Sequence, residues 1–194
     1  MKAVALLSGG LDSALAVRVV QDQGVDVQAL HFYTGFCITE RKRRMGGLDV
    51  DDPRRFKNDA LSTARSIGVP VEVVDISKEY MRMVTRPKHG YGANANPCID
   101  CRVFMLRAAA DHFEDFGASF VITGEVLNQR PMSQRRPTLG LIEEESRLSR
   151  LVVRPLSAKL LPPTIPEEKG WVDRNRLLDI EGRSRKRQLE MAAQ

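Results

Sequence analysis

Residues 3–13 read Ala3-Val4-Ala5-Leu6-Leu7-Ser8-Gly9-Gly10-Leu11-Asp12-Ser13, and their order decides the fold. A strand-like apolar run breaks into a turn of small residues carrying one carboxylate and two hydroxyls, and an amphipathic helix begins at once. Adjacent glycines let the backbone approach a ligand closely, while the free N–H groups of a new helix, reinforced by its dipole, favour an anion. The stretch reads as a phosphate cradle. No lysine completes the pattern Gly-x-x-x-x-Gly-Lys-Ser/Thr, and Gly-x-Gly-x-x-Gly is missing too, which argues against a Walker-type NTPase and against a dinucleotide fold.

Outward from the cradle, apolar runs alternate with helical periodicity, the pattern of an α/β protein with a doubly wound, mainly parallel five-stranded sheet and helices on both faces. Val4 to Leu7 form strand one, a helix runs from about Asp12 to Asp22, and Val27 to Phe32 form strand two. The cradle then lies at a strand's C-terminal end, where open α/β sheets bind ligands. Arg54 to Ile67 read as a helix stopped by Gly68, Val69 to Ile76 as strand three, and Lys78 to Val84 as a short helix. Residues 86–97 are rich in turn formers and read as an exposed loop emptying into Cys98. The next helix places Val103, Leu106, Ala110 and Phe113 on one face and stops at Gly117, and Ala118 to Thr123 make strand four. Residues 126–136 read as a polar loop, Glu143 to Arg150 as a helix and Leu151 to Arg154 as strand five. Prolines argue against helix from Pro155 to Pro166. The rest reads as a helical tail around Trp171, Leu177 and Leu178, broken at Gly182.

The 194 residues, 42% hydrophobic and 28% charged, suit one α/β domain with a real core. The division expected is residues 1–160 for that domain and 161–194 for a helical C-terminal extension, truncated if the chain is a fragment. No apolar run reaches the length of a bilayer span and Met1-Lys2 leads straight into strand one, so the expected location is cytoplasmic, with no membrane partner. The net charge of +5 is clustered in Arg41-Lys42-Arg43-Arg44, in Arg54, Arg55 and Lys57, in Arg130, Arg135 and Arg136, and in Arg183, Arg185, Lys186 and Arg187. Such clusters suit a polyanion or a set of solvated faces. Arg185, Lys186 and Arg187 open the last helix, where cations oppose the helix dipole, so they call for an anionic neighbour.

Cys98-Ile99-Asp100-Cys101 stands at a helix start, a location that lowers thiol pKa and makes a thiolate available as nucleophile or ligand. Cys37 lies just past strand two, at the same sheet edge, so all three sulfurs are expected to converge near the cradle. Four readings stay open. Cys37, Cys98 and Cys101 hold a [4Fe-4S] cluster; they hold Zn²⁺ with His31, His89 or a carboxylate; they supply a redox or persulfide pair without metal; or they are inert buried thiols.

The string Ser8-Gly9-Gly10-Leu11-Asp12-Ser13 resembles the pyrophosphate-binding loop of the N-type ATP pyrophosphatases, the PP-loop superfamily with an adenine nucleotide alpha hydrolase-like fold. Residues 101–134 look like the corresponding stretch of the tRNA 4-thiouridine synthases, and Arg154-Pro155-Leu156 matches a further motif of theirs; the likeness spans residues 1–160. It implies that Ser8, Gly9, Gly10, Asp12 and Ser13 bind ATP, with Asp12 on Mg²⁺. His31, Phe32, Gly124, Glu125 and Gln129, together with Gln134, would border the nucleotide or substrate. Cys101 falls where the family has its catalytic cysteine, and Cys98 accompanies it. The implied reaction is ATP-dependent tRNA thiolation: a uridine carbonyl oxygen is adenylated with release of pyrophosphate, then replaced by sulfur from a cysteine persulfide or a cluster. Its partners would be tRNA, a sulfur donor such as a cysteine desulfurase or inorganic sulfide, and a separate RNA-binding domain or subunit or a second copy of the chain. Arg41, Lys42, Arg43, Arg44, Arg135, Arg136, Arg185, Lys186 and Arg187 would grip RNA. The chain departs from the synthases in showing neither their tRNA-gripping N-terminal domain nor a rhodanese domain. In cluster-bearing relatives the third cysteine normally comes later than Cys101, whereas here Cys37 must replace it or the chain ends early. An ammonia-using adenylating amidotransferase or ligase, and a non-catalytic ATP-binding module of an RNA-modifying complex, are the competing readings.

Overall fold

A computed structural model describes residues 1–36 and 59–193. Five strands, β1 (Lys2–Leu6), β2 (Asp26–Tyr33), β3 (Val71–Asp75), β4 (Phe120–Ile122) and β5 (Val152–Val153), form one sheet in the order β3-β2-β1-β4-β5. Every pairing is parallel, with Ala3 beside Val27 on one side and beside Phe120 on the other. The chain winds outward from β1 through β2 to β3, then returns to the other side of β1 for β4 and β5. That reversal opens a crevice at the C-terminal ends of β1 and β4.

Alternation along the strands divides the core between the two faces of the sheet. Ala3, Ala5, Val27, Ala29, Phe120 and Ile122 pack against Ala16, Val17 and Val20 of α1 (Leu11–Gln21) and Ala64 of α2 (Asp59–Ile67). Val4, Leu30, Val121 and Val152 face the other way. They meet Val103, Leu106 and Ala109 of α4 (Cys98–Asp111) and Ile142 of α6 (Arg136–Glu145). Each fully buried valine or leucine contributes about 1.5–3 kcal/mol. Helix α3 (Ser77–Thr85) follows β3, and after a break at His112 the short α5 (Phe113–Phe116) ends at Gly117, whose φ of 62° is the left-handed conformation of a helix stop. No helix among the described residues is long and apolar enough to cross a membrane.

Three local expectations are corrected. The polar loop expected over 126–136 is present up to Arg135, whereas the helix expected over Glu143 to Arg150 starts earlier and stops sooner, as α6, which begins at Arg136 with Pro137 in its first turn. Proline is pre-organised for that position, and Leu139 and Ile142, one turn apart, are buried. Past Glu145 the chain turns, with Arg147 and Arg150 both at φ 61°. In the proline-rich stretch a short α7 (Ile165–Glu168) forms, with Pro166 in its first turn and a Thr164/Glu167 capping box. Beyond it the chain is mostly not helical. Lys159 N–H donates to Leu178 O at 3.0 Å, Leu178 N–H to Pro155 O at 2.8 Å and Ile180 N–H to Leu156 O at 2.8 Å, so this segment lies along residues 155–159. Val172, Leu177 and Ile180 enter the same cluster as α1, and Trp171 stacks on Phe120 at 6.2 Å.

The chain closes with α8 (Lys186–Ala192), packed against α1. Gln188 on α8 is fully buried, and neither its Nε2 nor its Oε1 has a hydrogen-bond partner. An unpaired buried polar group costs about 1–3 kcal/mol. Gln188→Met, which keeps length and flexibility, is therefore expected to raise stability by that order, read as a higher urea midpoint at unchanged m-value.

Candidate functional site

The glycine turn after β1, the expected phosphate cradle, is shaped by the two elements that press against it. Gly9 takes φ 79°, and a Cβ there would lie 2.6 Å from Ala60 N and from the carbonyl carbon of Asp59, so glycine lets the start of α2 close on the loop. Thr63 Oγ1 donates to Gly9 O at 3.3 Å. Gly10 is the N-cap of α1 and supplies no side-chain cap, leaving the first helical N–H groups to a ligand. Ser13 Oγ donates to Gly10 O at 2.8 Å, accepts from Ser8 N at 3.3 Å and stands 3.2 Å from Ser8 Oγ. On the far side Gly124 follows β4; a Cβ there would lie 2.5 Å from Ser13 N and 2.6 Å from the carbonyl carbon of Asp12.

Above the cradle lies a cleft of about 260 Å³ at the β1/β4 crevice. Of the expected nucleotide residues Ser8, Gly10, Asp12, Ser13, His31, Phe32, Gly124, Glu125 and Gln129 line it, and Gln134 joins them. Gly9 is not among the lining residues, and its lack of a Cβ lets α2 pack against the loop. The His31 ring combines two roles, since Nδ1–H donates to Leu7 O at 2.9 Å while the ring borders the cleft. Leu7 O can only accept, so Nδ1 carries the proton. Among the described residues several buried polar atoms on this lining lack hydrogen-bond partners: Asp12 Oδ1, Gln129 Nε2 and Gln134 Oε1. Buried polar groups are ordinarily satisfied, so their convergence on one cleft marks a site made for a polar ligand.

Glu125, only 2% exposed, anchors a charge network that composition and spacing do not reveal. Its Oε2 accepts from Arg154 Nε at 3.0 Å and from Thr123 Oγ1 at 3.2 Å, and its Oε1 lies 3.4 Å from Arg102 Nε. Arg154 also pairs with Glu143. Burial would raise the Glu125 carboxyl, yet the Arg154 and Arg102 guanidiniums and the hydrogen bonds of Arg154 and Thr123 hold it below the usual glutamate range. The site residues that sequence reading missed are Arg102 and Met105, which line the cleft from α4, and Arg154 beneath it. The signals were the likeness over residues 101–134, which contains Arg102 and Met105, and the Arg154-Pro155-Leu156 motif, to which no role was attached.

Cys98 and Cys101 open α4 one turn apart, as expected, but neither lines the cleft. Cys37 lies outside the described residues, as do Arg41, Lys42, Arg43 and Arg44. Cys101 Sγ accepts a hydrogen bond from Tyr80 at 3.3 Å, and the Tyr80 ring sits between those of Phe36 and Phe104. The expectation that a helix start lowers the thiol pKa is corrected for Cys101. Burial pushes this thiol up, outweighing the Tyr80 hydrogen bond and the Arg102 charge that favour the thiolate. Asp100, between the two cysteines, accepts the backbone N–H groups of Lys88 and His89 at 3.0 Å each and so pins the 86–97 loop to α4. His89 faces Asp100 through Nδ1 at 3.4 Å and Glu145 through Nε2 at 3.1 Å, which uses both ring nitrogens. Among the described residues no group of three or more His, Cys, Asp and Glu side chains is arranged to hold a metal ion, so these residues by themselves fit neither zinc nor a cluster.

The described cations expected to grip RNA divide into two sets. Arg135 and Arg136 are exposed and, with Arg183, line a groove beside Asn128 that has no carboxylate in its lining. The cations at the start of α8 find internal anions: Arg185 pairs with Asp12 at 2.8 Å, Arg187 with Asp179 at 2.7 Å and Lys186 with Glu190 at 4.0 Å.

The family model described as the tRNA methyl transferase HUP domain matches residues 1–147. A tRNA-specific 2-thiouridylase MnmA from Thermotoga sp. is 33% identical over 112 residues, 54% of this chain and 30% of that protein. The protein of the same name from Rhizobium rhizogenes is 29% identical over 140 residues, 67% of this chain and 33% of its own length. The chain thus spans about a third of the curated relatives it matches. Among solved structures, a 4-thiouridine synthetase in complex with RNA and with bound ATP superposes with a TM-score of 0.55 at 25% identity, over 79% of this chain and 36% of that one. A predicted subunit of tRNA methyltransferase from Methanocaldococcus jannaschii shares the fold, with a TM-score of 0.52 at 16% identity over 80% of this chain and 67% of that one.

Proposed function

Because this chain belongs to the tRNA methyl transferase HUP domain family, we propose that it binds ATP in the cradle and uses it to thiolate a uridine in tRNA. The observation that carries this reading is the unpaired polar lining of the cleft facing an uncapped helix start, an arrangement suited to a base, a ribose and a chain of phosphates together. The same chemistry appears in the names of relatives that share this fold, a 4-thiouridine synthetase with bound ATP among them.

In this reading the N–H groups of the loop and of the first turn of α1 hold the phosphates, and the uridine carbonyl oxygen attacks the α-phosphorus as pyrophosphate leaves. Asp12 Oδ1, buried and unpartnered, fits a hard cation, so Asp12 would hold the Mg²⁺ that neutralises charge on the departing pyrophosphate. Adenylation turns the carbonyl oxygen into a leaving group. The outer sulfur of a persulfide on Cys101 then attacks the base carbon, AMP departs, and the Cys98 thiol one turn away takes Cys101 into a disulfide to free the thiocarbonyl. The outer sulfur of a persulfide stands at the sulfane level, which sulfide reaches only with an oxidant, so sulfur comes from a donor that already carries a persulfide, such as a cysteine desulfurase, whose outer sulfur the Cys101 thiolate attacks. Arg135, Arg136 and Arg183 offer phosphate contacts for tRNA. Free thiols suit a reducing setting, the cytoplasm.

Pyrophosphate release from ATP, measured with tRNA or with ammonia as the second substrate, tests the proposal. Release that requires tRNA is expected, with Asp12→Asn lowering it by roughly 10²–10³-fold, the cost of losing a transition-state electrostatic contact. Release driven by ammonia and indifferent to tRNA would assign the cleft to an amide-forming ligase, and ATP binding without release under either condition would make it a non-catalytic module.

A further inference from the structure

We propose that Arg185 belongs to the nucleotide site: it exchanges its Asp12 partner for a phosphate of the triphosphate when a divalent cation takes the carboxylate. This rests on the reading of the cleft as an ATP site, and it moves Arg185 from the expected RNA face into the cradle.

Among the described residues Arg185 is the one that lines the cleft from beyond position 134, and it lies past residue 147, where the family match ends. Its backbone is held from both sides. On one side Gly182 N–H donates to Leu127 O at 2.8 Å, next to the bridge between Leu127 and Glu181. On the other, Gln188 and Met191, at helical spacings of three, carry the same face of α8 into the core. The guanidinium itself is free to move, being 55% exposed at the side chain against 12% for Asp12.

The contact also leaves capacity unused. Only Nη2 is engaged, with Asp12 Oδ2 at 2.8 Å, and a guanidinium carries five N–H donors in a planar fork that matches two phosphate oxygens. Asp12 sits in the first turn of α1, one residue from Ser13, so an arginine resting on this carboxylate already stands beside the anion-binding N–H groups. Electrostatics favours the exchange. A carboxylate shared with a divalent cation attracts a guanidinium less, while the arriving triphosphate brings several negative charges into a cleft whose other arginines are Arg102, tied to Glu125, and Arg130.

The test uses equilibrium binding to the full chain, comparing wild type with Arg185→Gln and Arg185→Lys. The probes are a non-hydrolysable ATP analogue with Mg²⁺, adenosine alone, Mg²⁺ alone and tRNA. Arg185→Gln is expected to weaken the analogue by about 10- to 100-fold, the scale of one lost charge-assisted contact, with adenosine affinity kept within twofold. The same variant should bind Mg²⁺ alone more tightly, because its competitor for Asp12 is gone, and the loss confined to the phosphate-bearing analogue is what separates a phosphate contact from a structural arginine. Arg185→Lys should recover part of the analogue affinity. Analogue binding equal to wild type in Arg185→Gln would overturn the inference, as would a loss confined to tRNA, which would return Arg185 to the RNA face. Equal losses for adenosine and the analogue would overturn it too, reducing Arg185 to a structural role. If wild type binds neither the analogue nor adenosine, the reading of the cleft itself fails.

Discussion

Arg154→Met is expected to destabilise the protein by about 3–5 kcal/mol, measured as a lower urea midpoint, because it removes one side of a buried ion pair. Arg154 is 4% exposed and serves two carboxylates, Glu125 and Glu143. After the substitution Glu125 keeps only the Thr123 hydroxyl and the more distant Arg102, 3.4 Å away. The double variant Arg154→Met with Glu125→Gln should recover much of the loss, since no buried charge is then stranded. The effect also carries a pH signature. Glu125 has a folded-state pKa below its ordinary value, so its stabilisation is fully present above the ordinary glutamate pKa and fades as pH falls through the depressed one. In Arg154→Met burial dominates and raises that pKa, so protonation relieves the variant. The stability gap between wild type and variant should narrow as pH drops through the glutamate range; a gap that stays constant would show that packing, not charge, is what Arg154 supplies.

Gly124→Ala should cost nucleotide-dependent turnover on the order of 10²-fold, as expected when a reacting group is displaced by about an ångström. The added Cβ would stand 2.5 Å from Ser13 N and 2.6 Å from the carbonyl carbon of Asp12, both backbone atoms that cannot swing aside. The end of β4 and the start of α1 must then separate, and the cradle with them, at a further stability cost of about 1–3 kcal/mol. Gly140→Ala is the matched control. It lies inside α6, has no atom within 4 Å of its would-be Cβ and no positive φ, so it should stabilise by about 0.5–1 kcal/mol through helix propensity alone. Equal effects of the two substitutions on that turnover would remove the argument that contact at Gly124 shapes the site.

Much of the fold could be read along the chain because its signals are local. Val4, Leu30 and Val121 alternate with Ala3, Ala29 and Phe120, and that period of two places each set on its own face of the sheet. Gly68 and Gly117 stop helices through a left-handed φ that other residues avoid. The errors came where a local signal had two readings. Pro137 and Pro166 count against helix in an interior but suit a first turn, and only the burial of Leu139 and Ile142 and the Thr164/Glu167 capping box show which applies. The tail around Trp171 and Leu177 has an apolar pattern that serves equally for a helix and for a segment laid against residues 155–159.

By itself the sequence determined a parallel α/β sheet, a glycine turn leading from its first strand into a helix and a cysteine pair at a helix start, since each follows from residue types at short spacing. Tertiary structure alone decided the charges. Glu125 meets Arg154 across 29 positions and Asp12 meets Arg185 across 173, and only packing shows that Cys101 is buried enough to hold its proton. Spacing constrains what neighbours in the chain can do, whereas the strength of an ion pair and the cost of desolvation depend on distance and burial in space, which no local pattern encodes.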